Sequence, residues 1–123
     1  MAHLLDTCVL VDVLRGRQVA IDAIAALPDQ PSVCHVTMME LYVGALTQRE
    51  ELRLEKLLAE FNRVTIDEAI YPRAGQWMRH FKASHGLDVP DALIAATAEH
   101  HGLTLATLNV KHFPMFPKLK SAY

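Results

Sequence analysis

Three carboxylates far apart in the chain, Asp6, Glu40 and Asp91, each stand where a helix is expected to begin. Taken singly, each has an ordinary structural explanation. Asp6 follows the apolar pair Leu4-Leu5 and precedes a helical run, so its oxygen can accept the free N–H groups of a helix start. Thr37-Met38-Met39-Glu40 has the T-x-x-E spacing of a capping box. Asp88-Val89-Pro90-Asp91 combines an early proline with acids in a first turn. The conjunction says more. Asp91 opens a helix that is apolar nearly all round, where an unpaired carboxylate is costly. Glu40 lies off the Met38/Tyr42/Ala45 face and need not point into the core. Carboxylates converging on one cleft repel each other, and a hard cation such as Mg²⁺ or Mn²⁺ relieves that repulsion. An oxygen-held cation of this kind suits phosphoryl chemistry. It activates a water, and a second ion roughly 3.5–4 Å away can stabilise the leaving oxygen.

The elements that must position these acids read as alternating strands and helices. Leu4-Leu5 is a short buried strand, and a helix over Thr7–Leu14 follows it, closed by Arg15-Gly16-Arg17. A second short helix spans 19–27, stopped by Pro28. A strand is expected over 32–36, then a helix from Thr37 with Met38, Leu41, Tyr42 and Ala45 on one apolar face. Leu54, Leu57, Leu58 and Phe61 repeat that spacing on the next helix, and 64–66 is a further short strand. A long amphipathic helix carries Ile70, Ala74, Trp77, Met78 and Phe81 and ends near Gly86. The apolar run 92–98 marks a buried helix ended by Gly102, and 103–107 is the last core strand. Short apolar strands between helices predict an α/β fold, a doubly wound parallel sheet with helices on both faces. Ligands in such folds bind beyond the carboxyl ends of the strands. Asp6, Glu40 and Asn109 all follow a predicted strand there.

The 123 residues suit one domain spanning 1–123. The net charge of −2 lacks the basic excess of a protein that holds nucleic acid by charge alone. RNA would have to be held by local cations or bound metal. Cys8 and Cys34 lie in apolar runs and read as small core residues. No signal-like N-terminus and no apolar run of about 20 residues is present, so a cytoplasmic protein with no membrane contact is expected.

Four segments also resemble a known family. Leu4-Leu5-Asp6-Thr7, Thr37-Met38-Met39-Glu40-Leu41-Tyr42-Val43-Gly44, Pro90-Asp91-Ala92-Leu93-Ile94-Ala95-Ala96-Thr97-Ala98 and Gly102-Leu103-Thr104-Leu105-Ala106-Thr107-Leu108-Asn109 are similar, in order, to the PIN-domain signature in its VapC toxin branch. The resemblance implies a PIN-like doubly wound sheet and a Mg²⁺- or Mn²⁺-dependent endoribonuclease. It also implies a homodimer, a VapB-like antitoxin that blocks the site, and tRNA or ribosomal RNA as substrate. The family's first acid falls on Asp6, with the Thr7 hydroxyl beside it. Its second falls on Glu40 and its third on Asp91. At the fourth position, where the family often has an acid, this chain offers Asn109, with His112 three residues on. Asp88 could contribute by its i, i+3 spacing to Asp91, although a simple cap accounts for it.

Other residues read more plainly. Arg15 and Arg17 could hold phosphates, but exposed arginines are usually solvated surface. Phe113 and Phe116, set among Lys111, His112, Lys118 and Lys120, read as core packing before base stacking. The adjacent His100 and His101 should point to different sides of a helix, a poor metal pair. Two rivals remain. A haloacid-dehalogenase-like phosphatase would need a second Asp where Cys8 stands. A PIN-like domain that binds RNA or a partner without cleavage would be compatible with the uncharged Asn109.

Overall fold

The computed structural model describes residues 2–123. Its strands are β1 (His3–Leu5), β2 (Ser32–Cys34), β3 (Asn62–Val64) and β4 (Thr104–Ala106). All pair in parallel, in the order β3-β2-β1-β4. Helices α1 (Thr7–Leu14) and α2 (Gln18–Ala25) join β1 to β2, and α3 (His35–Gly44) and α4 (Gln48–Leu58) join β2 to β3. Helices α5 (Ile70–His85) and α6 (Val89–His100) carry the chain back to β4, and a short 3₁₀ turn, Val110–His112, follows.

Period-two alternation explains the layers. Leu4, Cys34 and Leu105 turn to one face of the sheet and meet Ile70, Ala74, Trp77 and Ile94 of α5 and α6. Leu5, Val33 and Ala106 turn to the other and meet Leu10, Leu41, Leu54 and Leu58. Each fully buried leucine contributes about 1.5–3 kcal/mol, so both faces are anchored. Helix α6 is buried along Ala92, Ile94, Ala95, Ala96, Thr97 and Ala98, as its apolar run predicts. Phe113 is in the core, and Phe116 packs edge-to-face on Trp77 with ring centroids 5.8 Å apart.

The chain winds outward from β1 to β2 to β3, then returns to pair β4 with the free side of β1. Winding therefore reverses on the two sides of β1. That switch point opens a crevice at the carboxyl ends of β1 and β4, the place where open α/β sheets take ligands.

Local boundaries shift where pairing overrides composition. Strand β2 stops at Cys34 and α3 starts at His35, before Thr37. Strand β3 lies at Asn62–Val64 instead of 64–66, because Asn62, Arg63 and Val64 register against Ser32, Val33 and Cys34. Asn62 and Arg63 are exposed, so this edge strand is held by its ladder with little help from burial. Among the described residues, no helix is long and apolar enough to cross a membrane.

Candidate active site

The register of β1 on β4 places Leu5 beside Ala106, so Asp6 and Thr107 stand next to each other just past the ladder. Asp6 is only 4% exposed. Its Oδ1 accepts the Thr7 N–H at 2.8 Å, so it does cap α1. Its Oδ2 accepts the Thr107 hydroxyl at 2.7 Å. Thr107 in turn accepts the Asn109 N–H at 3.0 Å, which ties the loop after β4 to Asp6. Cys8 Sγ lies 3.6 Å from both Asp6 Oδ2 and Thr107 Oγ1. Burial, then the Asp6 charge, push its thiol above the usual range, so Cys8 stays a neutral S–H on the cleft wall. Only Cys34 is the buried core residue expected of both.

Glu40 is not part of a capping box. Helix α3 is capped at Cys34, without a side-chain bond, so Thr37 sits inside the first turn, fully buried. The Thr7 hydroxyl donates to Glu40 Oε1 at 2.7 Å and lies 3.1 Å from Thr37 Oγ1. A carboxylate only accepts, so Thr7 gives Glu40 its single hydrogen and the Thr37 hydroxyl fills the second contact. A residue of α1 thus sets the position of the α3 acid.

Asp88 caps α6 through the Asp91 N–H at 2.9 Å, the simpler of its two readings. The Asp91 carboxyl is pushed up to about 7. Burial is the main cause, followed by the charges of Asp88 and then Asp6; His112, whose Nδ1 is 3.5 Å from Asp91 Oδ2, opposes them. The acid that follows β1 therefore acts on the acid of α6.

A cleft of about 430 Å³ is lined by Asp6, Thr7, Glu40, Asp91 and Asn109 together. All five residues singled out from the sequence meet there, with Asn109 at the exposed rim. Arg15 and Arg17 line it too, so they are more than distant surface. Asp12, Thr107 and Tyr123 were not singled out. Asp12 is buried on the cleft wall, and its Oδ2 takes Arg17 Nη1 at 2.8 Å and the Tyr123 hydroxyl at 2.6 Å. An acid on the otherwise apolar α1 was the available signal for Asp12; nothing local marks Tyr123.

Among the described residues, no lysine or arginine forms an ion pair with Asp6 or Glu40. Buried or half-buried carboxylates with only neutral donors, beside a carboxyl raised by burial and by its acidic neighbours, fit an oxygen-loving divalent cation.

A PIN domain family model matches residues 3–116. The chain is 40% identical over 122 residues to a protein named Ribonuclease VapC10 from Mycobacterium tuberculosis, covering 98% of this chain and 92% of that one. It is 36% identical over 124 residues to Ribonuclease VapC19 of the same species, covering 98% of each. A chain of a toxin–antitoxin complex from Klebsiella pneumoniae superposes with a TM-score of 0.85 at 36% identity, covering 98% of both chains.

Proposed function

This chain belongs to the PIN-domain family, and on that premise we propose that it is a metal-dependent endoribonuclease, the toxin of a type II toxin–antitoxin pair. Residues 1–123 act as one PIN-like domain in this reading. The observation that carries it is the convergence of Asp6, Glu40 and Asp91 on one cleft at the switch point. The relatives named as ribonucleases span nearly the whole chain, which supports the same activity here.

Asp6, Asp91 and Glu40 would hold a Mg²⁺ or Mn²⁺ ion, and when bound such an ion lowers the pKa of a water and offsets charge on the phosphodiester. The chain's own residues do the positioning. Thr107 fixes Asp6 by its Oδ2, and Thr7 fixes Glu40 by its Oε1. Asn109 orients a water at the rim, and Arg15, which lines the same cleft, offers a phosphate contact. Attack by water on phosphorus, with the ribose 3′ oxygen leaving, yields a 3′-hydroxyl and a 5′-phosphate. Structured RNA, tRNA or ribosomal RNA, is the proposed substrate.

A second groove of about 470 Å³ between α1, α3 and α4 shares Val11, Arg15 and Glu40 with the cleft and adds Leu14, Leu41 and Leu54. An apolar groove ending on acids suits a VapB-like antitoxin segment that lays apolar side chains in the groove and an Arg or Lys in the cleft. The structural neighbour solved as a toxin–antitoxin complex supports such a partner. Met39, Val43 and Leu46 are 62%, 72% and 84% exposed on and just after α3, which supports a homodimer or partner surface there.

The test is incubation of the purified chain with labelled tRNA and total RNA, with Mn²⁺ or with EDTA. Cleavage that needs Mn²⁺, leaves 5′-phosphate ends and vanishes in Asp6→Asn is expected. A 2′,3′-cyclic phosphate product refutes attack by water. The uncharged Asn109 favours one other reading, a PIN-like domain that binds RNA or a partner without cleavage. RNA binding with no cleavage under any divalent metal selects it.

A further inference from the structure

At the end of α6 far from Asp91, Asp67, His100 and His101 bring their donor atoms within 4.8 Å of one another. We propose that these three residues form a second metal site, for a borderline transition ion of the Zn²⁺ class, independent of the oxygen-rich cleft.

Adjacent helical residues diverge by roughly 100°, which argued against pairing the two histidines. In the structure the donor atoms nevertheless converge, at the point where α6 ends. Gly102 takes φ +64°, its N–H bonds Glu99 O at 3.2 Å, and Leu103 N–H bonds Ala98 O at 2.8 Å. This Schellman turn makes His101 the capping residue, at φ −92° and ψ 2°. The two imidazoles then sit edge-to-face with centroids 5.1 Å apart. Asp67 is presented from the turn before α5, whose carbonyl accepts the Ile70 N–H at 3.1 Å. The Asp67 Oδ2 to His100 Nε2 separation is 3.3 Å. Tetrahedral zinc with bonds near 2.0–2.2 Å holds its donors roughly 3.4 Å apart.

The chemistry of the set points away from Mg²⁺. Two imidazoles and one carboxylate suit Zn²⁺, Ni²⁺ or Co²⁺, and three protein ligands leave a position for water. The carboxyl end of α6 adds negative potential that favours a cation. Arg73 grips Glu99 at 2.9 and 3.3 Å, fixing α5 against α6 beside the site. All three ligands are exposed, so small rotamer changes complete the geometry without moving backbone. His100 lies nine residues after Asp91, roughly 14 Å along α6, so a metal here would clasp the far end of the helix that carries a cleft acid.

The experiment is titration of the wild-type protein with Zn²⁺ in excess Mg²⁺. Histidine imidazole resonances are followed by NMR and stoichiometry by calorimetry. The His100 and His101 resonances should shift together and saturate at one ion per chain. His100→Gln, His101→Gln and Asp67→Asn should each weaken binding by more than the roughly 10-fold typical of losing an outer partner. His80→Gln should change nothing. Zn²⁺ should raise the Tm of wild type and leave that of His101→Gln unmoved. Imidazoles of His100 and His101 that stay still at stoichiometric Zn²⁺, or binding unchanged in His100→Gln, would overturn the proposal. Should a variant fail to fold, the wild-type imidazole shifts decide alone.

Discussion

The Tyr123 hydroxyl donates to Asp12 Oδ2 at 2.6 Å, and Arg17 Nη1 donates to the same oxygen at 2.8 Å. Asp12 is a buried acid on the cleft wall, so a tail residue and a rim cation are joined through one oxygen atom. The tail reaches it because Ala122 N–H bonds Thr107 O at 2.9 Å, which extends the β4 edge. Tyr123→Phe keeps the ring and removes the donor. It should lower stability by about 0.5–1.5 kcal/mol, measured by urea unfolding, and loosen Arg17. With Arg17 less restrained, RNA cleavage should lose efficiency through KM while kcat is preserved. Equal losses in both parameters would place the network in the chemistry instead.

Thr107 and Thr7 each donate one hydrogen bond to an acid of the site. Their replacement by Val keeps the shape and removes the hydroxyl. Losing such an outer partner typically costs about 10–100-fold in metal affinity or activity. Thr107→Val should fall in that range, because Asp6 Oδ2 then keeps only the weak Cys8 S–H contact. Asp6→Asn should exceed it. Mn²⁺ titrations of activity on both variants separate the two effects.

Asp6 and Asp91 were legible because their reasons are local. Each follows or opens an apolar element, and the topology then brings those ends together. Glu40 was legible from its place off the apolar face of its helix and from the family resemblance, while its bland reading, a capping box, dissolves once α3 starts at His35. Its true anchor, Thr7, is 33 residues away and speaks through no periodicity. The same holds for Thr107 on Asp6, 101 residues apart, and for Tyr123 on Asp12, 111 residues apart. Strand β3 was misplaced because its residues are chosen by register with β2, and Asn62 and Arg63 carry no apolar signal. The His100 and His101 pairing was hidden because it depends on side-chain rotamers and on Asp67, brought up from the distant turn before α5, which no helical spacing shows.

The raised Asp91 carboxyl has a definite consequence for pH. Its folded value of about 7 lies above the ordinary 3.8, so the metal-free folded state holds a proton that the unfolded chain has already lost. The stability from this group is full below about pH 4 and is lost as pH rises toward 7. Divalent metal competes with the same proton, so apparent Mn²⁺ affinity should climb over that window and level off above it. Asp88→Asn retains a good cap for α6 but removes the charge that is second only to burial in raising Asp91. The midpoint of the affinity-versus-pH curve should therefore move to lower pH. A curve that does not move means Asp91 is not the titrating ligand.

Asn109 offers the sharpest test of the site's fourth corner. Its backbone N–H is already committed to Thr107, while the residue is exposed at the rim of the cleft that the acids line. Asn109→Asp adds charge without changing size. Without metal, the added charge faces Asp6 and Asp91 and should raise the Asp91 carboxyl further, costing stability near neutral pH. With Mn²⁺ the same charge is favourable, so metal affinity and cleavage rate should rise. Thermal melts at pH 7 with and without Mn²⁺ give both signs in one experiment: a lower Tm in EDTA and a larger rise on adding metal. A Tm that falls equally in both conditions would mean position 109 lies outside the field of the ion and that three carboxylates alone hold it.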